Sequence, residues 1–359
     1  MTVFSVIIAA HNEAAHIASA IESVQAQTEE DLEIIVIDDC STDDTANVVL
    51  QMAEHDPRIH ILSLAVNCGI AAARNLGFDH ANGEWIAILD ADDTFERRRL
   101  SLLREVGVNV EADIVADVLC ACVGNHKFPL WNWHGIKPMS LLEFLEAERD
   151  GKFRLWPGWP ASPRPRVTEA RNPIGFVHPI FRRSFLNRYH LRYNNRLRFL
   201  EDFMFYVDCF MHGARFWTTP DALYYYLVRD GSLSSNVSMA DLEVISGIWS
   251  RLLKSPEFGD HRLQAVGGNL KHDIDRWHAY VVFTRAIKAG DLGGAARTLF
   301  GSFTNLRYIL DESLVQMPVV LAKALRGGYR PNKGEPRADT SQSAISTTEA
   351  ARKELASVE

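Results

Sequence analysis

Four short apolar runs alternate with helical patterns over the first 90 residues, and this rhythm limits the fold more than any other feature. Runs of this length, rich in Ile and Val, are typical of buried strands. Between them apolar residues recur at helical spacing, as at Ile17, Ile21 and Val24. The alternation predicts a parallel, doubly wound α/β sheet. The predicted strands are Val3–Ala9, Leu32–Ile37, Ile59–Leu64 and Trp85–Leu89, and the predicted helices are Ala14–Gln27, Ser41–Glu54 and Gly69–His80.

Acidic residues follow two of these strands directly. Asp38 and Asp39 come after the second strand, and Asp90-Ala91-Asp92 comes after the fourth. Open α/β sheets bind their ligands at the carboxyl edge, where these side chains meet. Neighbouring carboxylates repel each other unless a cation lies close by, and Mg²⁺ and Mn²⁺ are commonly held by carboxylates and substrate phosphates. The pattern favours a metal–diphosphate site, although Asp is also a frequent turn former at strand ends.

The pattern is less regular after Asp93. A long segment with several tryptophans and prolines is predicted to be irregular, and small polar residues at the end of the chain predict a disordered tail. The remaining predictions are a helix at Phe95–Val106, a strand at Ile114–Val123, irregular structure at Asn125–Arg171, a strand then a helix within 180–213, a strand at Ala222–Leu227, helices from Ser238 to Tyr329 and the tail at Pro331–Glu359.

Charge and cysteine content exclude some classes of protein. The formal net charge of −8 argues against bulk attraction to nucleic acid or to an anionic membrane. Five cysteines without a zinc-binding pattern favour reduced thiols and a cytoplasmic location. No basic residue precedes the apolar run Phe4–Ala10, so we expect a strand there rather than a signal peptide. No stretch reaches 18 apolar residues, and no transmembrane helix is expected.

Four blocks in the N-terminal quarter resemble the inverting glycosyltransferases of family 2. The blocks are Val6–Glu13, Ile37–Asp43, Asn67–Gly77 and Gly83–Asp93, and they occur in the order and spacing of that family. The departures are small, with Ala9 in place of the usual Pro, His11 in place of Tyr, and Cys40 in place of Gly or Asn. The resemblance implies a GT-A fold: a mostly parallel, Rossmann-like sheet with helices on both faces, followed here by a helical C-terminal extension.

The resemblance also implies a role for each matched residue in binding a UDP-sugar. Asp39 would accept a hydrogen bond from the uracil ring, and Asp38 would support its loop. Arg74 would contact the nucleotide end of the donor, and Asp90 would bind ribose or a water beside the metal. Asp92 would hold a divalent metal, Mn²⁺ or Mg²⁺, on the diphosphate. The other predicted donor-site residues are Ala9, His11, Glu13 and Ala91.

A second acidic pair lies about 110 residues downstream. Glu201-Asp202 precedes a helical pattern and resembles the family motif that carries the catalytic base. Inverting transfer needs a carboxylate that takes the proton of the acceptor hydroxyl. Asp202 matches that base and Glu201 its neighbour. Farther on, Arg229 matches less closely a segment that closes over the diphosphate, together with Ser232.

Several features leave two interpretations open. Arg74 fits an ion pair with Asp79 or Glu84 as well as a donor contact. The tryptophans of the irregular segment fit an acceptor groove or core packing: Trp131, Trp133, Trp156 and Trp159. Nine arginines within 164–198 fit a lipid diphosphate acceptor, anionic headgroups or scattered ion pairs: Arg164, Arg166, Arg171, Arg182, Arg183, Arg188, Arg192, Arg196 and Arg198. Met317–Tyr329 fits a helix on the membrane surface, at the inner face of the plasma membrane, or a packed helix.

The function predicted from these features is transfer of a single sugar, with UDP-glucose as the expected donor. The acceptor would be a lipid-linked oligosaccharide or a glycan in exopolysaccharide synthesis, as in the succinoglycan-type enzymes that the chain resembles. Nucleotidyl transfer and a non-catalytic scaffold are the alternatives. The predicted domains are 1–235 for the glycosyltransferase (1–95 for the nucleotide-sugar half and 96–235 for the acceptor half), 236–330 for the helical extension and 331–359 for the tail.

Overall fold

The first four strands lie side by side and parallel, as their alternation with helices predicts. A computed structural model describes residues 2–124, 126–130, 133–150, 177–228 and 239–301. In this part of the chain the strands run in the order third, second, first, fourth. They are β1 (Phe4–Ala10), β2 (Leu32–Asp38), β3 (Ile59–Ser63) and β4 (Trp85–Asp90).

The later strands extend this sheet and build a smaller one. They are β5 (Thr94–Phe95), β6 (Ile114–Ala116), β7 (Leu119–Val123), β8 (His126–Pro129), β9 (Lys137–Met139), β10 (Ile180–Arg182), β11 (Phe216–Thr218) and β12 (Tyr224–Leu227). The large sheet has the order β3-β2-β1-β4-β10-β6-β11-β9, and the small sheet has the order β5-β12-β7-β8. Strand β10 is antiparallel to both of its neighbours.

Helices occupy most of the remaining described residues. They are α1 (Ile17–Gln25), α2 (Thr45–Ala53), α3 (Ile70–His80), α4 (Arg99–Asn109), α5 (Leu141–Asp150), α6 (Arg183–Arg188), α7 (Glu201–Met211), α8 (Met239–Leu252), α9 (His261–Lys288) and α10 (Leu292–Phe300). Strands β8 and β9 and helix α5 lie in the segment predicted to be irregular, and that prediction was wrong there. The strand predicted at Ile114–Val123 is two strands, β6 and β7, which belong to different sheets. The helices predicted after residue 238 are confirmed up to Phe300.

No helix in the described ranges is both long and apolar enough to cross a membrane. The longest, α9, has 28 residues, but charged and polar side chains are spread along it. The predicted domain boundaries at 95, 235 and 330 stay predictions. The disordered tail and the apolar segment Met317–Tyr329 lie outside the described residues.

The hydrophobic core fills both faces of the large sheet. Successive residues of a strand point to opposite faces, so Ile7 packs with one cluster while Val6 and Ile8 pack with the other. Helix α1 covers the second cluster through Ile17 and Ile21, and helix α3 covers the first. Each fully buried aliphatic side chain contributes about 1.5–3 kcal/mol. The predicted α/β fold with helices on both faces is therefore observed.

Helix α3 packs unusually close to strand β1 because residue 77 is a glycine. A Cβ atom at Gly77 would lie 2.5 Å from Cγ2 of Ile7. A larger residue would push the helix away from the sheet, since close-packed interiors have no room for added atoms. The glycine thus fixes the distance at which α3 presents Arg74 to the edge of the sheet.

Candidate active site at the carboxyl edge of the sheet

The first, second and fourth strands end level with one another. In the parallel register Ala10 lies opposite Asp38, and Ala9 lies opposite Asp90. The residues after these strand ends therefore meet at one edge, as expected for a ligand site in this class of sheet. Ala91 is buried at this edge, and Asp92 is half-buried beside it.

Asp39 is held by the backbone at the start of helix α3. One carboxylate oxygen accepts from the Cys68 N–H at 2.7 Å and the other from the Gly69 N–H at 2.8 Å. The Asp39 side chain is buried, so these two charge-assisted bonds fix its orientation. Each carboxylate oxygen keeps a lone pair that a further N–H donor can use. The arrangement is compatible with the predicted uracil contact.

The loops around Asp39 are tied together by short polar contacts. Nδ1 of His11 lies 2.8 Å from the Asp39 carbonyl oxygen, while the Asp38 carboxylate accepts from the Ser41 N–H at 3.2 Å. The Glu13 N–H donates to Oγ1 of Thr45 at 2.8 Å. These bonds place His11, which is exposed, and Glu13, which is half-buried, on the rim of the predicted nucleotide pocket.

The backbone conformation of Cys40 explains why Gly or Asn is usual at this position in the family that the chain resembles. Its φ of +60° lies in the left-handed region, which glycine and asparagine adopt most readily. Family 2 usually carries Gly or Asn at this position. The cysteine therefore keeps the turn that the family sequence favours, at some cost in backbone strain. All five cysteines of the chain are free thiols.

Arg74 is a buried cation that joins two parts of the site. Its guanidinium donates to Asp90 at 2.7 Å through Nη2 and to Asp202 at 2.8 Å through Nη1, with Glu201 at 3.4 Å. Burial alone would lower the pKa of Arg74, but the carboxylates of Asp202 and Asp90 hold it well above its usual value. The guanidinium is therefore always charged in the folded protein.

The alternative ion pairs considered for Arg74 do not form. Asp79 pairs with Arg192 at 2.7 Å, and Glu84 pairs with Arg182 at 2.8 Å. Both of these pairs are partly exposed, and exposed pairs contribute little to stability. They account for two of the arginines in the basic stretch.

Glu201 and Asp202 open helix α7 after a sharp turn. Leu200 has a φ of +56°, a rare conformation for a branched residue, and it redirects the chain into the helix. The Asp202 carboxylate is only 6 % exposed, and its Oδ1 also accepts from the Tyr193 hydroxyl at 2.9 Å. Burial, together with the adjacent Asp202 and against the pull of Arg74, raises the pKa of Glu201 to about 7.

The raised pKa of Glu201 predicts a pH-dependent stability. The native state keeps this proton up to about pH 7, whereas the unfolded chain loses it near pH 4.5. Stability from this group is therefore complete below about pH 4.5 and falls as the pH rises to about 7. Glu201→Gln removes the titration and should gain about 1–3 kcal/mol relative to the wild type between pH 5 and pH 8. Denaturant unfolding at both pH values measures this difference.

A matched variant controls that experiment. Glu105 is an exposed glutamate on helix α4, far in sequence from Glu201. Glu105→Gln should change stability by the same small amount at pH 5 and at pH 8. An equally flat response of Glu201→Gln would mean that the Glu201 carboxyl ionises in the native state as it does in the unfolded chain.

Asp90, Asp93 and His178 form a compact group of potential metal ligands. One ligand atom from each lies within 4.8 Å of the others. Burial first, and then the charges of Asp90 and Asp92, raise the pKa of Asp93 well above its usual range. Oδ1 of Asp93 accepts from the Leu227 N–H at 2.8 Å, while Oδ2 is buried without a hydrogen-bond partner among the described residues. Burial lowers the pKa of His178 and favours its neutral, metal-binding form.

These donors suit a divalent cation. A buried carboxylate oxygen without a partner costs free energy, and a cation placed there would relieve both that cost and the repulsion between carboxylates. Carboxylate oxygens with one imidazole nitrogen are ligands that Mn²⁺ accepts. Among the described residues this group does not include Asp92, so the metal role of Asp92 stays a prediction.

Three residues of the site were not singled out from the sequence. His178, Tyr193 and Tyr224 are all buried, and the ring of Tyr224 stacks on His178 with centroids 4.6 Å apart. The Tyr224 hydroxyl accepts from the Asp90 N–H at 3.1 Å. Behind them Arg99 forms a buried bidentate pair with Asp117, at 2.7 and 3.0 Å. The residue types of His178, Tyr193 and Tyr224 alone gave no signal, because each of these residues lies in a segment without a motif.

Some predicted site residues cannot be placed. Arg229 and Ser232 lie outside the described residues, as do three of the tryptophans and three of the arginines: Trp131, Trp156, Trp159, Arg164, Arg166 and Arg171. Trp133 is partly buried and packs against the core, in line with the packing interpretation for that residue.

Known proteins resemble this chain in sequence and in fold. The model of the family described as "Glycosyl transferase family 2" matches residues 5–156. The succinoglycan biosynthesis protein ExoO of Rhizobium meliloti (strain 1021) is 30 % identical over 308 residues, which is 84 % of this chain and 82 % of that protein.

Two solved structures share the fold at 18 % identity. The structure of S. aureus TarS 1–349 with UDP-GlcNAc has a TM-score of 0.60 and covers 93 % of this chain and 98 % of its own. The mannosyltransferase PcManGT from Pyrobaculum calidifontis, in complex with GDP-Man and Mn²⁺, has a TM-score of 0.52, covering 90 % and 84 %. The predicted GT-A fold is thereby confirmed.

The length and the sequence identity of the match to ExoO decide between the functions considered for this chain. It runs through both acidic regions of the sequence rather than through the four N-terminal blocks alone. Together with the family match and the shared fold, it sets aside nucleotidyl transfer and a scaffold without activity. The chain belongs to glycosyltransferase family 2 and is a glycosyltransferase.

Proposed function

We propose that the enzyme transfers one sugar from a UDP-sugar, with inversion, to a lipid-linked oligosaccharide or glycan acceptor. Exopolysaccharide synthesis is the proposed process, since ExoO is named for succinoglycan biosynthesis. UDP-glucose is the first donor to test. The observation that carries the proposal is that the buried Arg74 binds both Asp90 and Asp202, while Asp39 is held at the start of the same helix.

Donor binding in this proposal uses the strand ends. The Asp39 carboxylate, oriented by the Cys68 and Gly69 N–H groups, accepts from the ring N–H of uracil. His11, Glu13 and the backbone at Ala9 line the same pocket. Ala91, together with Asp90, lies where the ribose and diphosphate would follow the base along the edge. Arg229 remains a proposed diphosphate contact on resemblance alone.

A divalent cation, when bound, would neutralise the charge that develops on the diphosphate leaving group. Asp92 is the proposed ligand, and the group formed by Asp90, Asp93 and His178 supplies further donor atoms beside it. PcManGT, which shares the fold, was solved in complex with Mn²⁺, and this supports testing manganese first.

Proton transfer falls to the downstream pair. Asp202 would accept the proton of the acceptor hydroxyl as that oxygen attacks the anomeric carbon and UDP departs on the opposite face. Glu201, with a pKa raised to about 7 by burial, is partly protonated near neutral pH and is therefore a weaker candidate for the base. Arg74 holds the proposed base in place through a charge-assisted hydrogen bond of 2.8 Å.

The choice of nucleotide tests the donor site. If Asp39 reads the uracil N–H, UDP should bind more tightly than ADP or GDP. The preference over ADP should be at least about tenfold, because adenine has no ring N–H to donate and a lost hydrogen bond to a charged group costs about 1.5–3 kcal/mol. Competition calorimetry with the three diphosphates measures the preference. Asp39→Asn should reduce it, whereas Asp43→Asn, in the same loop region, should not. A preference for GDP or ADP would refute the uracil contact and leave the family assignment unaffected.

The acceptor and the membrane contact belong to the same proposal. A lipid-linked acceptor would bring the enzyme to the inner face of the plasma membrane as a peripheral protein. Arginines of the basic stretch that are not engaged in ion pairs would meet the lipid diphosphate. Sedimentation with vesicles that contain an anionic polyprenyl phosphate tests this contact.

A further inference from the structure

The two oxygens of the Asp202 carboxylate have different surroundings. Oδ1 accepts from Nη1 of Arg74 at 2.8 Å and from the Tyr193 hydroxyl at 2.9 Å. The Oδ2 atom forms no hydrogen bond with the residues that the structure describes. Two donors on one oxygen leave the other as the oxygen that is able to take a proton.

Both donors are themselves held in place. The guanidinium of Arg74 is anchored at its other end by Asp90 at 2.7 Å, and it lies 5.3 Å from the centroid of the Tyr193 ring. The side chain of Asn75, next to Arg74 on helix α3, bonds the Tyr193 main chain twice. Its Oδ1 accepts from the Tyr193 N–H, and its Nδ2 donates to the Tyr193 carbonyl, both at 2.8 Å.

One helix therefore fixes the segment that carries the base. Arg74 and Asn75 of α3 reach across 118 to 128 residues of sequence to Tyr193 and Asp202. Arg74 also contacts Asp90 at the carboxyl edge of the sheet, where the donor is proposed to bind. A single buried side chain thus spans from this edge to the proposed base.

We infer that Tyr193 and Arg74 are positioning residues that occupy Oδ1 of Asp202 and thereby direct its Oδ2 to the acceptor hydroxyl. The inference rests on the proposed role of Asp202 as the base. Neither residue touches the reacting atoms in this arrangement. Tyr193 orients the carboxylate through its hydroxyl hydrogen bond, and Arg74 does so through a charge-assisted hydrogen bond.

Three other ionisable groups interact with Asp202 besides these two, and they remain in place when Tyr193 is changed. His178 and Tyr206 are buried, and Glu201 is half-buried. An effect specific to the Tyr193 hydroxyl can therefore be separated from a general change in the charge of the site.

Tyr193→Phe tests the inference because it removes the hydroxyl and keeps the ring. We expect kcat to fall about 10- to 100-fold, the usual effect of losing a hydrogen bond to a charged group. KM for the donor and UDP affinity should stay within about twofold, because the donor contacts do not involve Tyr193. Steady-state kinetics and UDP calorimetry on the full chain measure all of these.

Tyr206→Phe is the matched control. Tyr206 is equally buried in the same aromatic cluster, but its hydroxyl donates to the Val177 carbonyl instead of a carboxylate. This variant loses a buried hydrogen bond and should keep kcat near the wild-type value. An equal fall of kcat in both variants would assign the Tyr193 effect to packing and overturn the inference.

Arg74→Lys is a second, independent test of the inference, and it does not depend on whether Tyr193→Phe folds. A lysine keeps the charge but lacks the planar fork that reaches Asp90 and Asp202 together. We expect a loss of kcat with unchanged UDP affinity. Weaker UDP binding with unchanged kcat at saturating donor would overturn the positioning role of Arg74 and favour a direct donor contact.

The failure of this inference differs from the failure of the proposed function. Wild-type kinetics in Tyr193→Phe and Arg74→Lys, with an inactive Asp202→Asn, would refute the positioning role and leave Asp202 as the base. Full activity in Asp202→Asn would instead refute the base, and the positioning role with it.

Discussion

Replacing Asp202 by asparagine is expected to lower kcat by about 10² to 10⁴, the usual contribution of acid–base catalysis. Asparagine is nearly isosteric with aspartate and still accepts through its carbonyl oxygen the bonds that Arg74 and Tyr193 donate to Oδ1. It cannot take the proton of the acceptor hydroxyl. UDP affinity should change little, because the donor is held by other residues. Paired kinetics and UDP binding on the purified variant measure both quantities.

Asp208→Asn is the control on the same helix. Asp208 lies on α7 with about half of its side chain exposed, and it faces His212 at 3.4 Å rather than the site. Its substitution should leave kcat near the wild-type value. Near-wild-type turnover in Asp202→Asn would move the base elsewhere, with Glu201 the first alternative. Loss of UDP binding would instead mean that Asp202 supports the donor site.

Removing the metal is expected to weaken UDP binding at least about tenfold. Carboxylates crowd the carboxyl edge of the sheet, and a diphosphate brought there without a cation meets like charge. The charge stabilisation that a divalent metal supplies amounts to several kcal/mol. Asp92→Ala should reproduce the effect of chelation if Asp92 is the ligand that matters. Calorimetry of UDP with Mn²⁺, with Mg²⁺ and with a chelator measures the dependence.

Asp93→Asn separates the two possible ligand sets. The structure groups Asp93 with Asp90 and His178, whereas the family pattern points to Asp92. A larger loss of Mn²⁺ dependence in Asp93→Asn than in Asp92→Ala would assign the metal to the Asp90–Asp93–His178 group. Equal UDP affinity with and without the metal in the wild type would contradict a metal-bridged diphosphate in either set.

The sequence predicted well which strand ends meet at the carboxyl edge of the sheet, because the signals for them are local. Each strand of the parallel half is a continuous apolar run, and the polar residues that follow it fall at the carboxyl edge by the rules of α/β sheets. Asp39 and Asp90 could be singled out from their places after strands, and Asp202 from its resemblance to the family motif. The meeting of Asp90 and Asp202 at Arg74 could not be predicted, because Arg74 and Asp202 are 128 positions apart.

His178 shows why the rest was missed. It precedes strand β10, which runs antiparallel to β4, so the start of β10 lies beside the end of β4. A parallel β10 would have placed His178 at the opposite edge. Strand direction depends on how the chain crosses between strands, and the three residues of β10 carry no signal for it. Helix α5 was missed because tryptophans and prolines on either side hid its own pattern.

The contacts of Arg74 with Asp202 and of Asn75 with Tyr193 limit how this enzyme can be re-engineered. Acceptor specificity in a two-part enzyme is often altered by grafting the acceptor portion of a relative onto the donor portion of the host. In this chain such a graft would separate a buried guanidinium from the carboxylates that neutralise it, and breaking a buried pair on one side typically costs about 3–5 kcal/mol. A working chimaera must therefore bring partners for both Arg74 and Asn75. These contacts must be preserved in a chimaera, whichever position in the sequence is chosen for joining the two parts.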